Sequence, residues 1–435
     1  MVVTIVVLLI LAGVSISLVV DKNGIIQKSK DARREYGQAK ANEREDLSNL
    51  SDMIEEATAE PTPKVNVNTK AGDNSTINGK KGTSKNPTIP KNYIPIDTAT
   101  STWGDGSSAP SQDSVNHGLV IKDEKNNEWV WVPVDKETLA TMYEESSDEK
   151  TLCGTTGETE VKTKLYSKTM TIGTDSNTKT ISRTTPGTST SYREPDLVVG
   201  SGTGYDASDT YCKAILGETG TKEQLAQLFV DEYKAMIESV SKYGGFYIGR
   251  YELSNVGVQK DKAPLTNRRW YFLYKECKEL NASDKVETRM IWGCQWDVAC
   301  NFIANKGDKK SITDSSSWGN YKGTSVKADD GTTEIKASGT SEKLNTGKTT
   351  FTMANNIYDL AGNCYEWTQE ADDSINRALR GGFYNRSGSS YPASYRDGDT
   401  PSDSGAGSNR FSSHFNNKVI LDSRAWAPAW RIIIK

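Results

Sequence analysis

The first twenty residues, MVVTIVVLLILAGVSISLVV from Met1 to Val20, hold no charge and are followed at once by Asp21 and Lys22. Away from water such a run can satisfy its backbone groups only as a helix, and twenty helical residues rise about 30 Å, the thickness of a bilayer core. It is apolar on every face, unlike a helix that packs one stripe on a globular core. No basic region precedes it, as a cleaved secretory signal would require, so residues 1–20 are expected to anchor the chain in a membrane. Residues 21–60 carry Ile25, Ile26, Ala32, Tyr36, Ala39, Leu47, Leu50 and Ile54 at roughly helical spacing among Lys, Glu, Arg and Gln. They predict a polar, amphipathic continuation, with a break at Asn23-Gly24.

Two histidines, His117 and His414, leave no inventory for a histidine metal site or a catalytic triad. The six cysteines, Cys153, Cys212, Cys277, Cys294, Cys300 and Cys364, show no CxxC spacing, and both disulfides and buried free thiols stay open. Net charge is -4 with both signs interspersed, so no footprint for nucleic acid is present. With 35% hydrophobic residues over 435 positions, one main core is expected rather than three.

Beyond the helix, residues 61–116 are dominated by Thr, Asn, Ser, Lys, Gly and Pro and read as a flexible linker, with Ile94 and Trp103 as points of attachment. A folded head is expected from 117 to 435, with polar insertions near 150–205 and 306–350. Its elements are a hairpin in GLVIKDEKNNEWVWVPVDK around Lys125-Asn126-Asn127, an amphipathic helix between Thr221 and Lys242 ending at Gly244-Gly245, and a strand in FYIGRYELS. A second helix is predicted around CQWDVACNFIANKG and a closing strand in WRIIIK. Short strands, two helices and long polar loops place the head in the α+β class.

The N-terminal VTIVVLLILAGVSISLVV followed by DKNGIIQKSKDA resembles the N-terminal helix of type IV pilin-like proteins. That resemblance implies display on a bacterial cell surface, either anchored in the membrane or assembled with pilin-like subunits in a filament. In the head, GGFYIGRYELS, MIWGCQWDVACNFI, NNIYDLAGNCYEWTQE, RALRGGFY and WRIII resemble, in that order, the signatures of the formylglycine-generating enzyme (sulfatase-modifying factor) family. The resemblance implies a C-type-lectin-like fold with much irregular structure. Trp292, Trp296 and Trp367 are expected in its core.

The same family implies two metal sites. Its copper-binding thiolates would fall at Arg386 and Tyr391, which cannot replace them, and its iron-dependent relatives need a histidine cluster that is absent here. Neither copper nor iron is therefore expected, and no catalytic residue is assigned; a metal-dependent surface oxidase is the disfavoured alternative. The family's calcium loop would use carboxylates of Asp359 and Glu366 and backbone carbonyls of Gly362 and Cys364, oxygen donors that suit a hard cation. Ordinary hydrogen bonds from Asp359 and Glu366 to loop amides are the open alternative.

From Tyr384 to Asn417 the chain is built of Tyr, Ser, Asn, Asp, Gly, Arg, Phe and His, the palette of antibody-type binding loops. This resembles the variable proteins of diversity-generating retroelements, whose C-terminal part carries the ligand-contacting positions. The expected ligand face comprises Tyr384, Asn385, Arg386, Ser387, Ser389, Tyr391, Tyr395, Arg396, Asp397, Asp399, Ser408, Asn409, Phe411, His414 and Asn416. The function expected is non-catalytic binding of a protein or glycan at the cell surface. A minor pilin whose head only decorates a filament is the structural alternative.

Overall fold

The structure is a computed structural model that describes residues 60–103, 110–152, 160–173, 178–188, 192–198, 207–280, 286–373, 375–401 and 419–423, with a few helical residues between 28 and 54. The chain divides into two compact units, Met1–Glu60 and Pro61–Lys435. The apolar run 1–20 and the terminal WRIIIK lie outside the described residues. Among the described residues no helix is long and apolar enough to cross a membrane.

In the second unit the elements run β1 (Ile94–Ile96), α1 (Gln112–Asn116), β2 (Val120–Lys122), β3 (Glu128–Pro133), α2 (Lys136–Met142), β4 (Tyr143–Thr151), β5 (Lys162–Ser167), β6 (Met170–Ile172) and β7 (Lys179–Ile181). Next come α3 (Ala207–Leu216), α4 (Lys222–Tyr243), β8 (Gly245–Gly249), α5 (Trp270–Glu279), β9 (Val286–Met290) and α6 (Gly293–Asn305). Small strands follow: β10 (Val326–Lys327), β11 (Glu334–Lys336), β12 (Met353–Ala354), β13 (Ile357–Tyr358), β14 (Glu366–Ala371), β15 (Arg377–Arg380), β16 (Arg396–Asp399) and β17 (Val419–Ser423). The main sheet has the order β1-β2-β3-β8-β17-β9, and β14-β15-β16 form a separate three-stranded sheet.

The expected hairpin is present. Asp123 Oδ1 accepts from the amides of Lys125 and Asn127 at 2.9 Å, and Asn126 takes the left-handed conformation that closes the turn. Trp129, Val130, Trp131 and Val132 are all buried, so β3 is covered on both faces and reads as a continuous apolar run. α4 starts at a capping box between Thr221 and Gln224 and ends at Gly244, whose φ of 72° provides the left-handed cap. Leu225, Phe229, Tyr233, Met236, Ile237 and Val240 line its buried face.

The linker expected at 61–116 is corrected by the structure. Val65, Ala71, Ile77, Ile89, Tyr93 and Trp103 are buried in the main core, and β1 extends the sheet through Ile94 opposite Lys122. Composition misled because these six side chains face inward, while loop amides satisfy one another: Val65 N donates to Thr76 O at 3.0 Å and Ile89 N to Ser75 O at 2.8 Å. The segment in turn completes other elements, accepting at Ser84 O from Trp131 Nε1 (2.9 Å) and at Thr88 O from the Tyr247 hydroxyl (3.1 Å).

The long loop expected at 150–205 is likewise richer than its composition implies. It holds β5 and the β6–β7 hairpin, and it sends Arg193, Glu194 and Asp196 fully into the interior. The 306–350 segment keeps its polar, loop-like character but adds the small β10–β11 hairpin and buries Trp318, Tyr321 and Val326. α5 and β9 had no counterpart in the expectations drawn from sequence.

Candidate functional site

β15 enters the site with its side chains buried and leaves it at Gly381 and Gly382, both at positive φ (88° and 80°). A Cβ on Gly382 would meet Tyr391 O at 2.1 Å, so the close return of the chain needs glycine there. The loop then folds on itself: Arg386 N donates to Phe383 O at 2.9 Å and Tyr391 N to Ser387 O at 2.9 Å. β16 carries it back antiparallel to β15, with Arg380 opposite Arg396 and Arg377 opposite Asp399.

Five rings gather at this loop. Phe383 stacks on Tyr365 with centroids 5.3 Å apart and touches Tyr384 at 4.3 Å. Tyr395 lies 6.1 Å from Tyr365 and 4.5 Å from Tyr391, and the Arg386 guanidinium sits 5.2 Å from the centre of the Tyr391 ring. Tyr365 and Phe383 are buried, Tyr384, Arg386, Tyr391 and Tyr395 are half-buried, and Asn385, Ser387 and Ser389 are exposed. Seven of the expected positions thus come together as an aromatic-cationic patch of tilted rings with a small polar rim, an arrangement suited to contact. Tyr365 was missed by sequence reasoning; its place in NCYEW, two residues before the buried Trp367, fitted a core strand equally well.

Arg396 departs from expectation and is corrected. Its side chain is 5% exposed and turns inward to Glu370, donating from Nε at 3.2 Å and from Nη2, with its guanidinium 3.3 Å from the centre of the Tyr192 ring. Asp397 accepts from the Tyr395 hydroxyl at 3.0 Å, and Asp399 accepts from the Thr400 amide at 2.8 Å; both are half-buried braces of the loop. Ser408, Asn409, Phe411, His414 and Asn416 lie outside the described residues.

Beneath the loop lies a buried ionic network. Asp297 receives Arg380 Nη2 and Arg183 Nη2, each at 2.5 Å, and Glu370 receives Arg183 Nε at 2.7 Å beside Arg396. Burial alone would raise the Asp297 carboxyl, but Arg380, Arg183 and Arg396 draw it down to about 2. Glu370 is lowered in the same way, against its burial, by Arg396, Arg183 and Arg380. Glu194, raised by burial and by Glu370 against the pull of Arg183, accepts from the amides of Gly293 (2.8 Å) and Cys294 (2.6 Å) at the start of α6. Opposite charges paired with one another make so many buried ions tolerable.

The five described cysteines are free and buried. Burial pushes the thiols of Cys277, Cys294 and Cys364 well up and that of Cys300 to about 12, so these four supply no thiolate near neutral pH. The guanidinium of Arg386 lies over the ring of Tyr391.

In the expected calcium loop, Asp359 Oδ2 accepts from Thr346 Oγ1 at 3.0 Å and from Gly347 N at 2.7 Å. Gly362 N donates to Gly381 O at 2.6 Å, and Cys364 N donates to Glu252 Oε1 at 3.1 Å. Glu366 is buried in β14 opposite Arg380. Among the described residues no group of three or more His, Cys, Asp or Glu side chains could hold a metal ion. The hydrogen-bonding alternative fits Asp359 Oδ2, which accepts from the Gly347 amide.

No family model matches the chain, and no curated protein matches it. Among solved structures the chain is similar to Treponema denticola variable protein 1, at 18% identity, covering 42% of this chain and 85% of that one, with a TM-score of 0.26. A likeness of that degree is too slight to bear on fold or function.

Proposed function

We propose that this chain is a non-catalytic binding protein whose C-type-lectin-like head presents the 384–399 loop to a protein or glycan ligand. The observation that carries the reading is the stacking of Arg386 on Tyr391 within the Tyr384, Tyr391 and Tyr395 cluster, ringed by exposed Asn385, Ser387 and Ser389. Rigid aromatic anchors beside small adaptable polar side chains give contact area at low entropic cost. The raised thiols of buried Cys277, Cys294, Cys300 and Cys364 weigh against thiolate chemistry at those four positions. Residues 1–60 display the head at the bacterial surface, and the loop is the diversified target of a retroelement.

The test is binding of the full chain to arrayed glycans and arrayed bacterial surface proteins, repeated with Arg386→Ala and Tyr391→Ala. Loss of the tightest interaction in both variants, each still cooperatively folded, supports the reading; retention in both contradicts it. A reverse transcriptase with a template copy of the 3′ end in neighbouring DNA supports diversification, and its absence contradicts that part alone.

A further inference from the structure

Asp372 stands where β14 ends, and β16 closes over it: the backbone at Gly398 leaves no room for a Cβ against Asp372 Oδ2. The Asp372 amide donates to Asn376 O at 2.9 Å, which fixes the residue at the turn into β15, and its side chain is half-buried. Glu370 and Asp373 flank the carboxyl along the chain, Arg396 and Asp397 act on it from β16, and Tyr192 from the 192–198 segment. Arg193 and Arg377, both paired with Ala371, are engaged elsewhere: Arg193 Nε donates to Asp196 at 2.5 Å and Arg377 Nη1 to Gln369 O at 2.6 Å. Arg396 in turn donates to Glu370 from Nε and Nη2. Burial and three neighbouring acids thus outweigh one shared cation, and the Asp372 carboxyl is pushed up to about 6.

We propose that β16 is a proton-linked stay for the recognition loop, lifting off Asp372 less often in mildly acidic surroundings than at neutral pH. The proposal rests on the reading that the 384–399 loop binds a ligand, and it gives that site a regulation. The stay reaches the ring patch through Asp397, which accepts from the Tyr395 hydroxyl at 3.0 Å; Tyr395 lies 4.5 Å from Tyr391, the ring beneath Arg386. Lifting β16 therefore draws Tyr395 out of the patch. It also returns Asp372 to water, where a carboxyl of its kind titrates near about 4. Between those two values the seated form holds a proton that the lifted form has released. Acid favours the seated form, and the preference is lost as pH rises through about 6. From pH 7.5 to pH 5 this linkage suppresses lifting by about tenfold at full strength, and by about threefold after allowance for part exposure of the group. The rings stay assembled for a larger share of the time in acid.

Amide hydrogen exchange of the full chain at pH 5 and pH 7.5, corrected for intrinsic rates, tests this in the natural sequence and in Asp372→Asn. Protection at 391–399, relative to α4, is expected to be about three- to tenfold higher at pH 5 in the natural chain. Asp372→Asn should bring the two conditions within about twofold of each other. No difference in the natural chain overturns the proposal, and so does an equal difference in both proteins. Asp373→Asn supplies a second arm, because Asp373 Oδ1 accepts from the amides of Ile375 (2.8 Å) and Asn376 (2.7 Å), which an amide oxygen also does. Removing that neighbouring charge should move the midpoint of the protection change to lower pH; a midpoint that stays in place contradicts the account. No ligand enters the measurement, so its failure leaves the binding reading standing, whereas binding retained in Arg386→Ala and Tyr391→Ala removes that reading alone.

Discussion

The guanidinium of Arg386 lies 5.2 Å from the centre of the Tyr391 ring, five residues along a loop that turns back on itself. Both side chains are half-buried, so each keeps surface that a ligand can cover. Removing either partner should act on binding more than on folding. A cation–π pair at such a site contributes about 0.5–2 kcal/mol, so Tyr391→Ala should cost a few tenths to about 2 kcal/mol of stability in denaturant titrations.

Arg396 should behave in the opposite way. Its replacement by Met leaves Glu370 with Arg183 and Arg380 but removes a buried charge partner, so a loss of about 3–5 kcal/mol is expected. Thermal and urea unfolding check it; a change under about 1 kcal/mol would return Arg396 to the ligand face.

Asp372 sets a pH dependence. Burial, with Asp373 and Glu370 as neighbours, pushes its carboxyl up to about 6. In the unfolded chain it titrates near 4, so between those values the folded state holds a proton that the unfolded state has lost. Its stabilising contribution is complete below about pH 4 and is lost as pH rises through about 6. Compared with Asp372→Asn, the natural chain should lose about 1–2 kcal/mol of relative stability between pH 4 and pH 7, a figure reduced for the part exposure of the group. Parallel pH profiles for the two proteins would contradict this.

Gly382→Ala should destabilise the loop by about 1–3 kcal/mol, since it forces a side chain to a left-handed φ against Tyr391 O. Amide exchange across 383–395 should accelerate in the variant, while exchange in α4 stays as it was.

Truncation tests the first segment of the head. A chain beginning at residue 112 lacks Trp103 and the acceptors at Ser84 and Thr88, and should aggregate or melt well below one beginning at residue 61. Equal melting temperatures would restore the linker interpretation of 61–103.

Sequence made the hairpin and α4 legible because each carries its own local instructions: Asp123 and Asn126 for the turn, Thr221, Gln224 and Gly244 for the helix ends. The packing of 61–103 was not legible, since six scattered apolar residues show no period and find their partners only across the fold. Within the site, Tyr384, Asn385, Arg386, Tyr391 and Tyr395 could be read from loop composition. Arg396 could not, because the acid that claims it, Glu370, is 26 residues distant and the ring beneath it belongs to an insertion.

The most direct measurement is the affinity of the full chain, against the tightest partner found among arrayed glycans and surface proteins, for Arg386→Ala and Tyr391→Ala beside the natural sequence. The account predicts at least about a tenfold loss in each, with unfolding midpoints close to the natural one. Unchanged affinity in both variants would contradict it.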